Sequence, residues 1–429
     1  MLTKEQSGSI STAYSQYVAE LSSERTLGYA EDIVRIGNRW LGSSGEARAR
    51  EYILGKFREF GIDVHTEDFE YVNYAPKLSK LEIVSPVQRV LDCVPLEYSN
   101  NGEVEGELVY LGQGTEQEFQ QIDNLGFELD QKIVVTSSFA PFLVSPFCEQ
   151  RKAAGMIVVS NAPDNYIRNL TGRLDPNAVN PTLPYDRYLT SFPGVVTSLE
   201  GGERLLTLMS ASPSTRARVS HEAQYTKKTT SNIVAVVKGE AESNRQIILG
   251  AHYDSQLVGE LAVDNGIGVA SLLEMARVTA RSSPRRTLTF LALSGAEIGM
   301  LGAADYVRRR KNLSRDAVAM LTIDALSSKF PAQNNLWATK DIQELALSKA
   351  KEAGWKVDSV VDPARLPFGD YYPFSEIGIP STWIWEYPPK FHPYYHTAGD
   401  VLEHIEPKKL MKVLEVNARL AFHLAYGSI

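Results

Sequence analysis

The stretch RTLTFLALSGAEIGMLG, residues 286–302, holds the pattern that decides the fold. Its first eight residues form a nearly continuous apolar run, which is typical of a strand buried on both faces of a sheet. Gly295 and Gly299 then predict a tight turn where the strand gives way to a helix. The turn contains one acidic residue, Glu297, which we therefore expect at the mouth of the sheet.

The sequence around this stretch repeats the strand and helix pattern from residue 232 onward. One segment, NGIGVASLLEMARVTAR, predicts a helix with one apolar face, and three others predict strands: NIVAVVKG, RQIILGAHYD and AVAMLTID. Alternating strands and helices predict an α/β fold with a mostly parallel central sheet flanked by helices. In such a sheet the active site lies at the carboxyl ends of the strands.

The region from residue 80 to residue 221 has a different texture. Short β-rich runs such as GELVYLG alternate there with Gly, Asn and Pro turns, and few candidate metal ligands occur. A chain of 429 residues is also long for a single domain. We therefore predict one catalytic domain formed by residues 1–79 and 222–429, with a β-rich domain inserted at residues 80–221.

Composition limits the classes of function. The net charge of −8 argues against a nucleic-acid partner, because phosphate binding needs a basic surface. The N-terminal residues contain no continuous apolar segment, so we predict a cytoplasmic location without a signal peptide or a membrane anchor. Two cysteines, Cys93 and Cys148, are too few for a disulfide framework and are interpreted as small buried apolar residues.

Histidine and acidic residues recur at the predicted carboxyl ends of the strands. Imidazole and carboxylate groups without thiolates suit zinc, manganese or cobalt rather than a structural zinc site. The predicted ligands of one or two such divalent ions are His252, Asp264, Glu297, Asp324 and His396. Asp254, two residues after His252, is expected to orient the imidazole ring as a supporting partner.

Six motifs together resemble the di-zinc aminopeptidase family, whose superfamily also includes glutaminyl cyclase and glutamate carboxypeptidase. In chain order they are HYDS, AVDNGIG, AEIGMLG, LTIDALSS, GDYYPFSEIGIP and YYHTAGD. The resemblance covers the N-terminal helix and residues 232–429, and it implies a mixed, mostly parallel central sheet. The middle region resembles the protease-associated domain that this family often carries, chiefly through FCEQRKAAGMIVVSNAP.

The resemblance also implies a role for each metal ligand. His252 and Glu297 would hold one ion, while Asp324 and His396 would hold the other. Asp264 would bridge the two ions, and the peptide bond that follows it would be cis, as in relatives.

The chain departs from the family pattern at two positions. The family motif reads Ala-Glu-Glu-x-Gly-Leu-x-Gly, and an ungapped alignment of its glycines places Glu297 on the second glutamate, the ligand. Ala296 then occupies the position of the first glutamate, the general base that takes a proton from water. In GDYYPF, Tyr371 stands where many relatives have histidine, whereas Asp370 is retained.

The missing base leaves three readings open. General acid–base catalysis is worth ~10²–10⁴ in rate, so a site without its base should hydrolyse an ordinary amide slowly. The first reading is therefore a hydrolase of an activated C–N bond. It would be an aminohydrolase of the nitroanthranilate type, in which a metal-bound hydroxide attacks an electron-poor ring and ammonia leaves. The second is an aminopeptidase or dipeptidase with another base, Asp370, Glu376 or Glu386. The third is a non-catalytic metal-binding module, against which the retained ligands argue. We expect the first.

Several residues near the motifs are candidates for catalysis and substrate contact. The candidate catalytic residues are Asp254 and Asp370. The candidate substrate-binding residues are Arg365, Tyr371, Tyr387 and His392. We expect a small molecule or short peptide as substrate and a homo-oligomer as the assembly, with no nucleic acid and no membrane as partner.

Overall fold

The computed structural model describes residues 15–182, 184–387 and 392–427. Its strands are β1 (Asp63–Ser85), β2 (Arg89–Leu91), β3 (Cys93–Glu97), β4 (Gly102–Tyr110), β5 (Ile133–Thr136), β6 (Gly155–Val159), β7 (Leu170–Thr171), β8 (Gly194–Thr197), β9 (Arg216–Val237), β10 (Glu242–His252), β11 (Arg286–Leu293), β12 (Ala317–Thr322), β13 (Gln333–Ala338), β14 (Ser359–Val361) and β15 (Ser381–Tyr387). Its helices are α1 (Ser23–Arg35), α2 (Ser44–Glu59), α3 (Glu116–Asn124), α4 (Pro141–Gln150), α5 (Leu199–Ala211), α6 (Ile267–Thr279), α7 (Leu301–Arg309), α8 (Leu313–Asp316), α9 (Lys340–Glu352), α10 (Tyr372–Glu376) and α11 (Pro407–Tyr426). Among these described residues, no helix combines the length and apolar character needed to cross a membrane.

The chain divides into two compact units. Among the described residues, the first unit contains 15–69, 229–387, 392–393 and 400–427, and the second contains 70–182, 184–228 and 394–399. The boundaries at 69/70 and 228/229 fall inside β1 and β9, rather than at 79/80 and 221/222 as expected. A strand that continues from one unit into the next has no turn residue at the boundary, which is why the sequence pattern places it several residues away.

The first unit contains a mixed, mostly parallel sheet in the order β14-β13-β15-β12-β10-β11-β9. Strand β10 pairs in parallel with both β11 and β12, and β12 pairs in parallel with β15. Strand β13 runs antiparallel to β15, and β9 runs antiparallel to β11. The predicted fold class is therefore confirmed. Because four neighbouring strands, β15, β12, β10 and β11, are parallel, their carboxyl ends lie at one edge of the sheet.

Helices cover both faces of this sheet. All eight residues of β11 are buried, and successive side chains of a strand point to opposite faces. Phe290 packs in a core cluster with Ile33 of α1 and Leu272 of α6. Leu291, the next residue, packs in a second cluster with Tyr306 of α7. The continuous apolar run that predicts a doubly buried strand is thus explained by a helical layer on each side.

Capping signals explain the bounds of α2. The Ser43 hydroxyl accepts a hydrogen bond from the backbone N–H of Glu46 at 3.1 Å, which satisfies a donor that the helix itself cannot pair. Ile53 and Phe57, one turn apart, are fully buried. Gly61 follows the last turn with a φ of +79°, the left-handed conformation in which glycine commonly ends a helix.

The second unit contains the sheet β9-β4-β5-β6-β8-β3-β7. The segment FCEQRKAAGMIVVSNAP, residues 147–163, includes the end of α4 and all of β6, and all five residues of β6 are buried. Cys148 is buried as expected, whereas Cys93 is half-buried because its strand is less deeply covered. The resemblance of this unit to a protease-associated domain remains a prediction.

His221 makes the stability of the second unit sensitive to acid. The residue is 2% exposed, its ring lies 6.0 Å from that of Tyr74, and burial lowers its pKa from 6.5 to about 4. Between these two pH values the unfolded chain binds the extra proton, so the unfolding free energy falls as the pH decreases. We expect a loss of about 3 kcal/mol from pH 7 to pH 4, measured by urea denaturation.

A His221→Gln variant lacks the titrating imidazole at this position. It should show a flatter dependence of unfolding free energy on pH than the natural chain. His65→Gln is the matched control, because it makes the same substitution at a side chain that is 54% exposed. Parallel pH profiles for the natural chain and His221→Gln would refute this assignment.

Candidate metal centre

Three neighbouring strands of the first unit bring predicted ligands to one edge of its sheet. Strand β10 ends at His252, while Glu297 follows the end of β11 and Asp324 follows the end of β12. Asp264 reaches the same edge from the segment Ala262–Gly266, which leads into α6. The peptide bond after Asp264 is cis, as the resemblance implies.

His252, Asp264 and Asp324 form a compact cluster. Nε2 of His252 lies 3.2 Å from Oδ1 of Asp264 and 3.3 Å from Oδ1 of Asp324. The three side chains offer ligand atoms that all lie within 4.8 Å of one another, and all three residues are buried. The three side chains therefore converge at this edge, and their role as metal ligands remains a prediction.

The charge of this cluster fits a divalent cation. Burial acts to lower the pKa of His252, but the carboxylates of Asp324, Asp254 and Asp264 outweigh burial and hold that pKa well above its ordinary value. Buried carboxylates this close repel one another unless a cation neutralises them. Imidazole nitrogen and carboxylate oxygen are also the ligands that zinc and similar ions take in catalytic sites.

Glu297 lies beside Asp264 at this edge. The two side chains offer ligand atoms within 4.8 Å of each other, and Nε2 of Gln256 donates a hydrogen bond to Oε2 of Glu297 at 2.8 Å. Asp264 therefore has ligand atoms on two sides, which matches the predicted bridging position. His252 is grouped with Asp324 rather than with Glu297, which differs from the pairing that the resemblance implies.

Asp254 supports the centre through two different groups. Its backbone carbonyl oxygen lies 3.1 Å from Nδ1 of His252, whereas its carboxylate lies 3.6 Å from that nitrogen. The carboxylate instead accepts hydrogen bonds from the backbone N–H groups of Ala296 and Glu297, both at 3.3 Å. The peptide carbonyl thus orients the imidazole, and the carboxylate fixes the turn that presents Glu297.

Asp400 holds the backbone at Asp264 in place. Its carboxylate accepts hydrogen bonds from the N–H groups of Val263 at 2.9 Å and of Asp264 at 3.0 Å. His392, a predicted substrate contact, is buried with Nε2 3.3 Å from Asp400 and Nδ1 3.2 Å from the hydroxyl of Ser328. This environment gives His392 a supporting contact to Asp400, and its contact with substrate remains a prediction.

Arg39 is a supporting residue that sequence reasoning missed. Its buried guanidinium donates hydrogen bonds to the backbone carbonyl oxygens of Tyr253, Glu260 and Leu261 at 3.1, 2.8 and 3.0 Å. These carbonyls belong to the loop between His252 and Asp264. Burial lowers the pKa of Arg39 to about 10, which still leaves it charged at neutral pH. A single arginine in a loop gives no signal in sequence, because such residues are usually exposed.

The motif GDYYPF places a further acidic residue, Asp370, in the interior. Asp370 is buried, and burial raises its pKa to about 8, although the charge of His252 acts in the opposite direction. Tyr371 is also buried, and its hydroxyl donates a hydrogen bond to the carbonyl oxygen of Leu366. Arg365 is exposed. The predicted roles of these residues in catalysis and substrate binding remain predictions.

His396 and Tyr387 are the remaining predicted site residues. His396 belongs to the second unit, where its Nδ1 lies 3.1 Å from the carbonyl oxygen of Asn169 and its ring stacks on that of Tyr395 at 3.8 Å. Tyr387 is the last residue of β15, and its side chain lies outside the described residues, as does that of Glu386. Their roles remain predictions.

Known proteins resemble the part of the chain that carries the cluster. Residues 232–421 match the model of peptidase family M28. Over 200 residues the chain is 31% identical to aminopeptidase YwaD of Bacillus subtilis (strain 168), in an alignment that covers 44% of this chain and 43% of that protein. The aligned part therefore spans less than half the length of this relative.

Two solved structures share the fold. The aminopeptidase from Aneurinibacillus sp. strain AM-1 aligns with a TM-score of 0.73 at 22% identity, covering 97% of each chain. The peptidase M28 precursor from Shewanella amazonensis SB2B aligns with a TM-score of 0.76 at 20% identity, covering 98% of this chain and 97% of that one. These likenesses concern the fold alone, whereas the family model matches the ligand-bearing segment itself. The part of the chain from residue 232 to residue 421 is therefore similar to peptidase family M28.

Proposed function

We propose that the chain is a zinc-dependent aminopeptidase, which hydrolyses the C–N bond after the N-terminal residue of a short peptide. The observation that carries this proposal is the buried cluster of His252, Asp264 and Asp324, with Glu297 beside it, within a segment of peptidase family M28. The relatives named as aminopeptidases support the same reaction. A divalent ion held there would polarise the scissile carbonyl group and lower the pKa of water.

The chain's own residues would keep the ligands in place during the reaction. Arg39 and Asp400 hold the backbone that leads to Asp264, and Asp254 holds the turn that carries Glu297. Ligands fixed in this way need little reorganisation when charge develops on the substrate. We further propose that the protein acts in the cytoplasm and as a homo-oligomer.

Ala296 favours a second candidate function. In the aligned motif it occupies the position of the glutamate that transfers protons, and its methyl group can neither accept nor donate one. A substrate with an activated leaving group depends less on that transfer. The second candidate is therefore an aminohydrolase that releases ammonia from an electron-poor amino-aromatic acid of the nitroanthranilate type.

A comparison of two substrates separates the candidates. With equal zinc loading, we expect the full chain to cleave leucine 4-nitroanilide and to release no ammonia from 5-nitroanthranilate above the level of a metal-free control. Turnover of the anilide should be slow, because general acid–base catalysis worth ~10²–10⁴ in rate is missing at residue 296. Absorbance of 4-nitroaniline and an ammonia assay give the two rates.

The opposite outcome, rapid release of ammonia with no anilide cleavage, would reject the aminopeptidase in favour of the aminohydrolase. Stoichiometric zinc with neither activity across a panel of peptides and amino-aromatic acids would reject both and leave a metal-binding module.

A further inference from the structure

A groove rich in lysine lies on the first unit, formed by residues outside the ligand cluster. It is an open depression of about 490 Å³, a volume in the range of sites for small molecules. Its charged lining residues are Lys329, Lys356, Lys408, Lys409, Lys412 and Glu406. Five cations and one carboxylate around one cavity form a basic concentration on a chain whose net charge is −8. We call this feature the lysine groove.

Two of these lysines, Lys408 and Lys412, have their charge available to a ligand. Lys356 pairs with Asp358 at 2.8 Å, and Lys409 donates a hydrogen bond to the carbonyl oxygen of Ser328 at 2.7 Å. Lys408 and Lys412 are exposed and form no ion pair within the part of the chain that the structure describes. The positive charge of the groove is therefore only partly neutralised by neighbouring groups.

The backbone adds to the positive potential of the groove. Helix α11 has 20 residues, and the carboxylate of its N-cap residue, Glu406, accepts a hydrogen bond from the backbone N–H of Lys408 at 3.1 Å. The first turn itself contains two cations, Lys408 and Lys409, and no acidic residue. Two cations at this N-terminus outnumber the single capping carboxylate, and a bound anion would stabilise them.

Trp355 provides an independent sign of a missing acceptor. The residue lines the groove and is 5% exposed. Its Nε1–H is buried without a hydrogen-bond partner among the described residues. A buried indole donor normally finds an acceptor. An oxyanion would supply acceptor oxygens and negative charge together.

We infer that the lysine groove is a binding site for a small phosphate-bearing molecule. Oxygen atoms of the phosphate would accept hydrogen bonds from the ammonium groups of Lys408 and Lys412 and from Nε1 of Trp355. The volume of the depression favours a small ligand over an acidic macromolecule, which would need a broad surface.

The test uses inorganic pyrophosphate as the probe and the full, metal-loaded chain, in calorimetric titrations at low ionic strength. The double variant Lys408→Gln/Lys412→Gln should bind at least about tenfold more weakly, because charge-assisted hydrogen bonds are lost. Trp355→Phe should weaken binding about fivefold, the effect of one hydrogen bond. The matched control is Lys340→Gln/Lys351→Gln, which removes the same charge from exposed positions of α9 and should bind as the natural chain does.

Bound metal is measured before and after each titration, because pyrophosphate also chelates divalent ions. Chelation is common to all variants and cannot produce the expected difference between the two double variants. Absence of pyrophosphate binding by the natural chain would overturn the proposal, as would equal weakening in both double variants. Binding of a polyglutamate peptide in the groove without binding of pyrophosphate would replace the small ligand with an acidic macromolecule.

Discussion

Replacing Asp264 by asparagine is expected to remove bound metal and to lower turnover by about 10³-fold. Asp264 offers ligand atoms close to His252 and Asp324 on one side and to Glu297 on the other, so a neutral amide there weakens every metal position that it touches. A metal ion contributes several kcal/mol to stabilising the transition state, and each ~1.4 kcal/mol is a factor of ten in rate. Metal content measured by mass spectrometry and turnover of the anilide report the two effects.

Asp341→Asn is the matched control for this experiment, because Asp341 is an exposed carboxylate in the first turn of α9. It should keep both metal and activity. Unchanged metal content in Asp264→Asn, with the fold intact by circular dichroism, would show that the cluster is not a metal site.

The second large effect is a gain. Ala296→Glu should raise aminopeptidase turnover by ~10²–10⁴, the usual contribution of general acid–base catalysis. Two observations support the expected gain. Residue 296 is partly exposed, and its backbone is fixed by the hydrogen bond from its N–H to Asp254. Anilide turnover as a function of pH is the measurement.

Ala296→Gln separates proton transfer from filling of space, because glutamine matches glutamate in size but does not titrate. Only the glutamate variant should gain activity and acquire a new ionisation on the acid side of its pH profile. Equal rates for the two variants would mean that residue 296 does not occupy the position of the base. Loss of activity in both would point to an aminohydrolase whose substrate needs the small side chain.

The fold and the ligand types could be predicted from local sequence patterns. The apolar run that ends at Leu293 is long enough to predict a doubly buried strand, and the structure buries every residue of it. His252, Asp264 and Asp324 could be predicted because parallel strands bring their carboxyl ends together whatever lies between them in sequence.

The pairing of the ligands could not be predicted, because it depends on the order of strands across the sheet. Strand β10 lies between β11 and β12, and the side chain of His252 reaches toward Asp324 on one neighbour rather than Glu297 on the other. The hydrogen bond from Gln256 to Glu297 was missed for a similar reason. It joins two loops that are distant in sequence, and a single glutamine forms no recognisable sequence motif.

The position of Arg39 bears on where an autonomous folding unit could begin. The family match starts at residue 232, yet the loop between His252 and Asp264 is held by the guanidinium of Arg39, which lies 221 positions upstream of Glu260. A fragment excised at residue 232 would leave three carbonyl groups of that loop without their charged donor. The segment that matches the family model is therefore shorter than the segment that holds this loop in place.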